Sequence, residues 1–212
     1  MKLSESMLRL YAVTDRSWLG SQTLTEQVEA ALRGGATCVQ LREKTQCRED
    51  FLRQAQQLKV LCARYGVPLL INDNVELALE VDADGVHVGQ EDMDARDVRR
   101  LIGADKILGV TAKTVPQALR AQQAGADYLG SGAVFGSTTK ANAKPMSREL
   151  LQSICQSVSI PVVAIGGIHR GNIASLAGTG IRGVAVVSGI FAAEDIEREC
   201  RVLRAEISKI VK

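Results

Sequence analysis

Eight short apolar runs recur along the chain, and a stretch with helical spacing separates most of them. They lie near residues 8–13, 38–42, 67–72, 85–88, 107–111, 128–132, 161–165 and 183–187. Most are rich in Val, Ile and Leu at consecutive positions, so both faces of each strand are apolar. Strands of that kind belong in a parallel sheet covered on both sides. Parallel neighbours need a crossover, and a helix is the usual crossover. Eight strand–helix units in a chain of 212 residues therefore predict an α/β fold, a single (β/α)8 TIM barrel over residues 1–212. An open doubly wound sheet is the alternative, but it would leave two edges and no run carries edge protection.

The intervening segments have helix signals. Thr23 and Glu26 have capping-box spacing, and Gly34-Gly35 ends that helix. Phe51, Leu52, Ala55, Leu58 and Cys62 mark one face of a long helix. Asp94 and Asp97 suit a helix N-terminus, Thr114, Pro116 and Gln117 begin another, and Asn172 is expected to cap a short one. Ile196, Cys200, Leu203, Ile207 and Ile210 line the last. Turns echo one another before the strands: Asp82-Ala83-Asp84, Gly125-Ala126-Asp127, Gly180-Ile181-Arg182.

Composition excludes some classes. Aromatics are 3% and the formal net charge is +2, so neither base stacking nor a basic stripe supports nucleic-acid binding. The five cysteines show no zinc-type spacing and suit a reducing compartment. There is no apolar leader and no apolar run of membrane length, which predicts a cytoplasmic protein. A homo-oligomer is left open.

Barrel active sites form where strands end at their C-termini. Asp73 and Asp92 follow successive strands and would meet at one face, where two carboxylates can hold a hard cation. Taken singly, each is better read as a cap or a solvated loop acid. Arg42 and Lys44 follow the second strand, and strand alternation would put them on one side with Glu43 on the other. The competing reading is a solvated ion pair with Glu43. Gly166-Gly167 and Ser188-Gly189 follow the last two strands, the usual phosphate position in such barrels, although glycines also make tight turns. Two anion sites facing each other, one with Mg2+, suggest two phosphorylated small molecules joined with loss of diphosphate. His87 is expected to be a satisfied core histidine and His169 a surface residue.

These motifs together resemble the thiamine-phosphate synthase family over nearly the whole chain. The matching segments are 10–15, 40–44, 71–73, 85–92, 138–140, 163–168 and 186–188. The resemblance implies an enzyme that joins hydroxymethylpyrimidine diphosphate to thiazole phosphate by a dissociative, Mg2+-assisted substitution. It implies that Gln40, Leu41, Arg42, Glu43, Lys44, Asn72 and Lys140 hold the pyrimidine diphosphate, with Arg42, Lys44 and Lys140 catalytic. It implies Asp73 and Asp92 as the Mg2+ ligands, and Ser137, Thr138, Thr139, Gly167, Val187 and Ser188 around the thiazole phosphate.

The chain departs from the family pattern in places. It has Thr111-Ala112-Lys113-Thr114 where Ser-Ala-His-Thr is usual; Thr111 keeps a hydroxyl for a diphosphate or pyrimidine contact. Ala133 and Gly136 stand where two prolines are usual. Competing functions are a thiazole tautomerase-like relative, a Schiff-base aldolase using Lys44 or Lys140, and a non-catalytic sensor of thiamine precursors.

Overall fold

The computed structural model describes residues 2–136 and 145–211. Among them, eight parallel strands close a barrel in sequence order. The strands are β1 (Leu10–Val13), β2 (Cys38–Leu41), β3 (Leu69–Asn72), β4 (Gly85–Val88), β5 (Ile107–Thr111), β6 (Tyr128–Gly132), β7 (Val162–Ile165) and β8 (Gly183–Val186). Closure comes from β8 pairing with β1, Leu10 opposite Val184 and Ala12 opposite Val186. The doubly wound alternative is thereby excluded, and no edge remains to protect. Among the described residues, no helix is long and apolar enough to cross a membrane.

The helices are α1 (Leu24–Arg33), α2 (Arg48–Arg64), α3 (Val75–Glu80), α4 (Ala95–Ile102), α5 (Val115–Gln123), α6 (Arg148–Ser157), α7 (Ser188–Phe191) and α8 (Ile196–Ile210). The capping box at Thr23 forms with both of its hydrogen bonds. Asp94 and Thr114 cap α4 and α5 through their side chains. Between β7 and β8 the crossover is only a 3-10 turn, Ile173–Leu176. Asn172 precedes it but does not cap it. Its side chain accepts from the His169 N–H at 2.9 Å and donates to the Gly167 carbonyl at 2.8 Å.

Two cores result from strand alternation. Outward side chains such as Val39, Leu41, Ile71, Val86, Leu108 and Leu129 pack under the helices. Inward ones, including Tyr11, Cys38, Leu70, Ile107, Tyr128 and Val163, fill the barrel. In α8, Ile196, Cys200, Leu203 and Ile207 are buried, each large apolar side chain contributing roughly 1.5–3 kcal/mol.

The sequence echo has a structural cause. Asp84, just before β4, accepts from the Leu69 N–H at 2.9 Å and pairs with Lys59 of α2 at 2.7 Å. Asp127, just before β6, accepts from the Leu108 N–H at 2.7 Å and pairs with Arg99 of α4 at 2.6 Å. The same clamp, a carboxylate joining the previous strand to the preceding helix, is built twice at the end where the strands begin. Arg99 also caps two turns, donating to the Gly103, Lys106 and Gly125 carbonyls.

Candidate active site

The opposite end of the barrel collects the polar residues. β3 ends at Asn72, and Asp73 then turns the chain with φ 63°, a left-handed conformation that Asp tolerates better than most non-glycine residues. Its backbone N–H donates to the His87 carbonyl at 2.8 Å, tying the turn to β4. Asp92 folds back over the end of β4 and accepts from the Gly89 N–H at 2.6 Å. The two carboxyls come within hydrogen-bonding reach of each other. Partial burial, then the neighbouring Asp73, push the Asp92 carboxyl above its ordinary range, against the pull of the Gly89 N–H. Burial alone would raise Asp73 as well, but the Lys44 ammonium and the Asp92 hydrogen bond bring it below its ordinary range. Asp92 is therefore the weaker acid of the two.

Lys44 reaches Asp73 at 2.9 Å. Beside this pair a cleft of about 460 Å³ opens, lined by Glu43, Lys44, Asn72, Asp73 and Met93 among others. Strand β2 ends at Leu41, so alternation does not extend through Arg42, Glu43 and Lys44; each is fixed by its own partner. Arg42 pairs with Asp15 at 3.4 Å. Glu43 does not pair with Arg42 or Lys44. It meets Arg16 at 2.5 Å and accepts from the Lys44 and Thr45 N–H groups at 2.8 and 3.0 Å. With only 4% of its side chain exposed, Glu43 shapes the loop that carries Lys44. The Leu41 side chain is fully buried in the outer core, which leaves its backbone for any contact at the mouth.

Gln40 and Thr111 stand on other walls of the same end. Gln40, 5% exposed, donates to the Tyr11 hydroxyl at 2.6 Å. Thr111 Oγ1 lies 3.0 Å from His87 Nε2, and the Thr111 carbonyl accepts from Gln90 at 2.6 Å. His87 is satisfied, as expected, but its partners are Tyr128 and Thr111 inside the barrel and not apolar side chains. His169 is an exposed turn residue whose ring accepts from the Gly171 N–H.

Across the mouth, Gly166 and Gly167 adopt φ of 105° and 65°. A Cβ at Gly166 would sit 2.5 Å from Ala133, and one at Gly167 2.9 Å from the Phe135 carbonyl oxygen. Glycine is required here by backbone geometry alone. Val187 and Ser188 lie at the start of α7. Ser137, Thr138, Thr139 and Lys140 lie outside the described residues. Gly136, at the edge of that segment, has φ 80°, which proline cannot adopt. The usual proline at this position would therefore need a different path for the chain.

Asp15, Arg16 and Tyr128 are not among the site residues expected from sequence. Asp15 follows β1 as Asp73 follows β3, so its position at a strand end was an available signal. Tyr11 and Tyr128 sit in runs apolar on both faces, where nothing in the sequence shows which residues turn inward.

A (β/α)8 barrel with acids, cations and glycine turns at the C-terminal ends of its strands is an enzyme scaffold for small molecules. Residues 10–190 match the family model described as thiamine monophosphate synthase. The thiamine-phosphate synthase of Ruminiclostridium cellulolyticum is 52% identical over 194 residues, 92% of each chain. That of Clostridium tetani is 48% identical over 194 residues, covering 92% of this chain and 93% of the relative. The solved thiamine phosphate pyrophosphorylase of Pyrococcus furiosus superposes with a TM-score of 0.90 at 36% identity, over 98% of this chain and 99% of that one. The chain belongs to the thiamine monophosphate synthase family.

Proposed function

We infer that this chain is a thiamine-phosphate synthase, a transferase that joins 4-amino-2-methyl-5-hydroxymethylpyrimidine diphosphate to thiazole phosphate and releases diphosphate. The observation that carries the reading is the cluster Lys44–Asp73–Asp92 with Arg42, set across the mouth from the glycine turns after β7 and β8. An isomerase acting on one small heterocycle has no use for that second, cation-rich half.

The donor set fits Mg2+. Among the described residues, no cluster of three or more His, Cys, Asp or Glu is built to hold a metal. Two carboxylates are present, and Mg2+ is typically held by one or two carboxylates together with substrate phosphate oxygens. When bound, Mg2+ would neutralise charge developing on the departing diphosphate. Asp73 and Asp92 would hold it.

The protein groups position and stabilise. Lys44 and Arg42 would receive the negative charge of the leaving diphosphate, with Lys140 as a third cation. Asn72, Gln40 and Thr111 orient the pyrimidine, and the backbone at Leu41 and the Glu43-fixed loop frame it. Ser137, Thr138, Thr139, Gly167, Val187 and Ser188 hold the thiazole phosphate, so that the thiazole nitrogen faces the pyrimidine methyl carbon. The carbon–oxygen bond to diphosphate breaks and its electron pair leaves with the diphosphate. The nitrogen lone pair then forms the new carbon–nitrogen bond. No strong base is needed, consistent with the described residues of the site, which pair no Ser or Cys nucleophile with His. The thiols are free, with Cys38, Cys62 and Cys200 buried, which supports work in the reducing cytoplasm.

Incubating the protein with both phosphorylated heterocycles and Mg2+ should yield thiamine phosphate and diphosphate in equal amounts. Binding of both without product would replace the synthase by a sensor. Interconversion of thiazole isomers without the pyrimidine would favour the tautomerase-like reading. Borohydride trapping on Lys44 or Lys140 with a carbonyl substrate would favour the aldolase.

A further inference from the structure

Below the mouth, five side chains from five strands form one continuous hydrogen-bonded line across the barrel. Gln40 Nε2 donates to Tyr11 Oη at 2.6 Å. Tyr11 Oη lies 2.9 Å from Tyr128 Oη, Tyr128 Oη 2.8 Å from His87 Nδ1, and His87 Nε2 3.0 Å from Thr111 Oγ1. The line runs β2, β1, β6, β4, β5. Gln40, Tyr11 and Tyr128 are 5%, 1% and 0% exposed.

The strands are built around it. A Cβ at Gly109 would fall 2.2 Å from the Tyr128 ring and 2.3 Å from its hydroxyl. A Cβ at Gly130 would fall 3.0 Å from the His87 ring. Tyr11 and Tyr128 meet edge to face, with centroids 5.9 Å apart. Burial pushes both phenols well above their ordinary range, so both stay protonated and able to donate.

A phenol has one proton to give. Gln40 turns its amide nitrogen to Tyr11, so the Tyr11 hydroxyl accepts there and gives its proton to Tyr128. Tyr128, accepting from Tyr11, gives its own proton to His87 Nδ1. An imidazole that accepts at Nδ1 carries its proton on Nε2, and that proton points to Thr111 Oγ1. The Thr111 oxygen accepts, and its own proton turns elsewhere. The Cys38 thiol, which also borders Tyr11, is only a weak donor and acceptor.

We propose that Tyr11 and Tyr128 are positioning residues of the synthase, the centre of a one-way hydrogen-bond relay that makes Gln40 a carbonyl acceptor and Thr111 a hydroxyl donor toward the pyrimidine substrate. The inference rests on the synthase reading for the identity of that substrate. An aminopyrimidine offers an amino donor and ring-nitrogen acceptors, which this pair matches. An analogue carrying oxo in place of amino presents an acceptor to the Gln40 carbonyl and is rejected, because a buried polar atom is then left facing its like.

The experiment has two parts. In nitrogen-15 histidine spectra of the substrate-free protein, which has only His87 and His169 to assign, His87 should carry a proton on Nε2 and none on Nδ1. Tyr128→Phe should remove that single-tautomer preference. In calorimetry and steady-state assays, Tyr128→Phe and Tyr11→Phe should each weaken pyrimidine diphosphate about tenfold, the scale of one oriented hydrogen bond, and leave the KM for thiazole phosphate within about twofold. The double variant should be no worse than either single one, because the relay acts as a unit. Discrimination between amino and oxo analogues should fall with them. A His87 proton on Nδ1 in the wild type overturns the relay's direction. Equal losses for both substrates with a lowered melting temperature reduce the tyrosines to packing and overturn the proposal. The spectra and pyrimidine binding need no turnover, so a protein that makes no thiamine phosphate would sink the synthase reading while still testing the relay.

Discussion

Replacing Asp92 by Asn tests whether the two acids at the ends of β3 and β4 form a cation site. Asn has nearly the shape of Asp92 and can keep a hydrogen bond to Asp73. It can still accept from the Gly89 N–H, now 2.6 Å from Asp92 Oδ2. The variant should therefore fold with an unchanged melting temperature. What it loses is one negative charge. Two unit charges 4 Å apart at an effective dielectric near 20 interact by about 4 kcal/mol. Asp92 is exposed, so solvent screening takes roughly half of that, while the double charge of Mg2+ restores it. The expected loss is about 2–4 kcal/mol of Mg2+ binding, or roughly a 30- to 1,000-fold rise in the Mg2+ needed for half-maximal turnover. Diphosphate release measured across a Mg2+ series reads this directly. Thiazole phosphate KM, taken at saturating Mg2+, should move less than about twofold because the glycine turns lie across the mouth. An unchanged Mg2+ dependence, or equal losses in both quantities, would refute the reasoning.

Two further predictions come from the same rim. Lys44 contacts Asp73 at 2.9 Å, where it competes with a cation; Lys44→Met should tighten Mg2+ binding in calorimetry without diphosphate yet weaken diphosphate itself, and weaker Mg2+ binding in both conditions would contradict it. Burial would raise the Glu43 pKa, but the Thr45 amide and then Arg16 bring it below the ordinary Glu range. Its folded value lies under its unfolded one, so its contribution is full above the unfolded pKa and is lost as pH falls through the folded value. Glu43→Gln should therefore cost about 1–3 kcal/mol in urea unfolding at neutral pH, and the difference from wild type should shrink below about pH 4; a pH-independent difference would sink this account.

The barrel could be read from the sequence because its signals are local and repeated. Valine-rich runs announce buried parallel strands, and caps such as Thr23, Asp94 and Thr114 mark helix starts through bonds within a few residues. Asp73 and Asp92 were visible for the same reason, as strand-end acids in successive units. What escaped depends on distant partners. Arg16 holds Glu43, Asp15 holds Arg42, and neither pairing follows from spacing. Asn172 looks like a cap in sequence, but the Gly167 carbonyl and His169 N–H offer its amide better partners. His87 was expected among apolar neighbours because its run is apolar on both faces, and only the closed barrel shows that its inward side meets Tyr128 and Thr111.

The doubled aspartate clamp has a consequence for how this chain can change. Asp84 with Lys59, and Asp127 with Arg99, lock strands and helices together at the end where the strands begin. The candidate site lies at the other end, on strand ends and loops that these clamps do not touch. Substitutions at the mouth, such as at Lys113, can then be tried with little risk to the frame. A barrel anchored this way is evolvable: new substrate preferences can be sampled at one end while the other keeps the molecule folded.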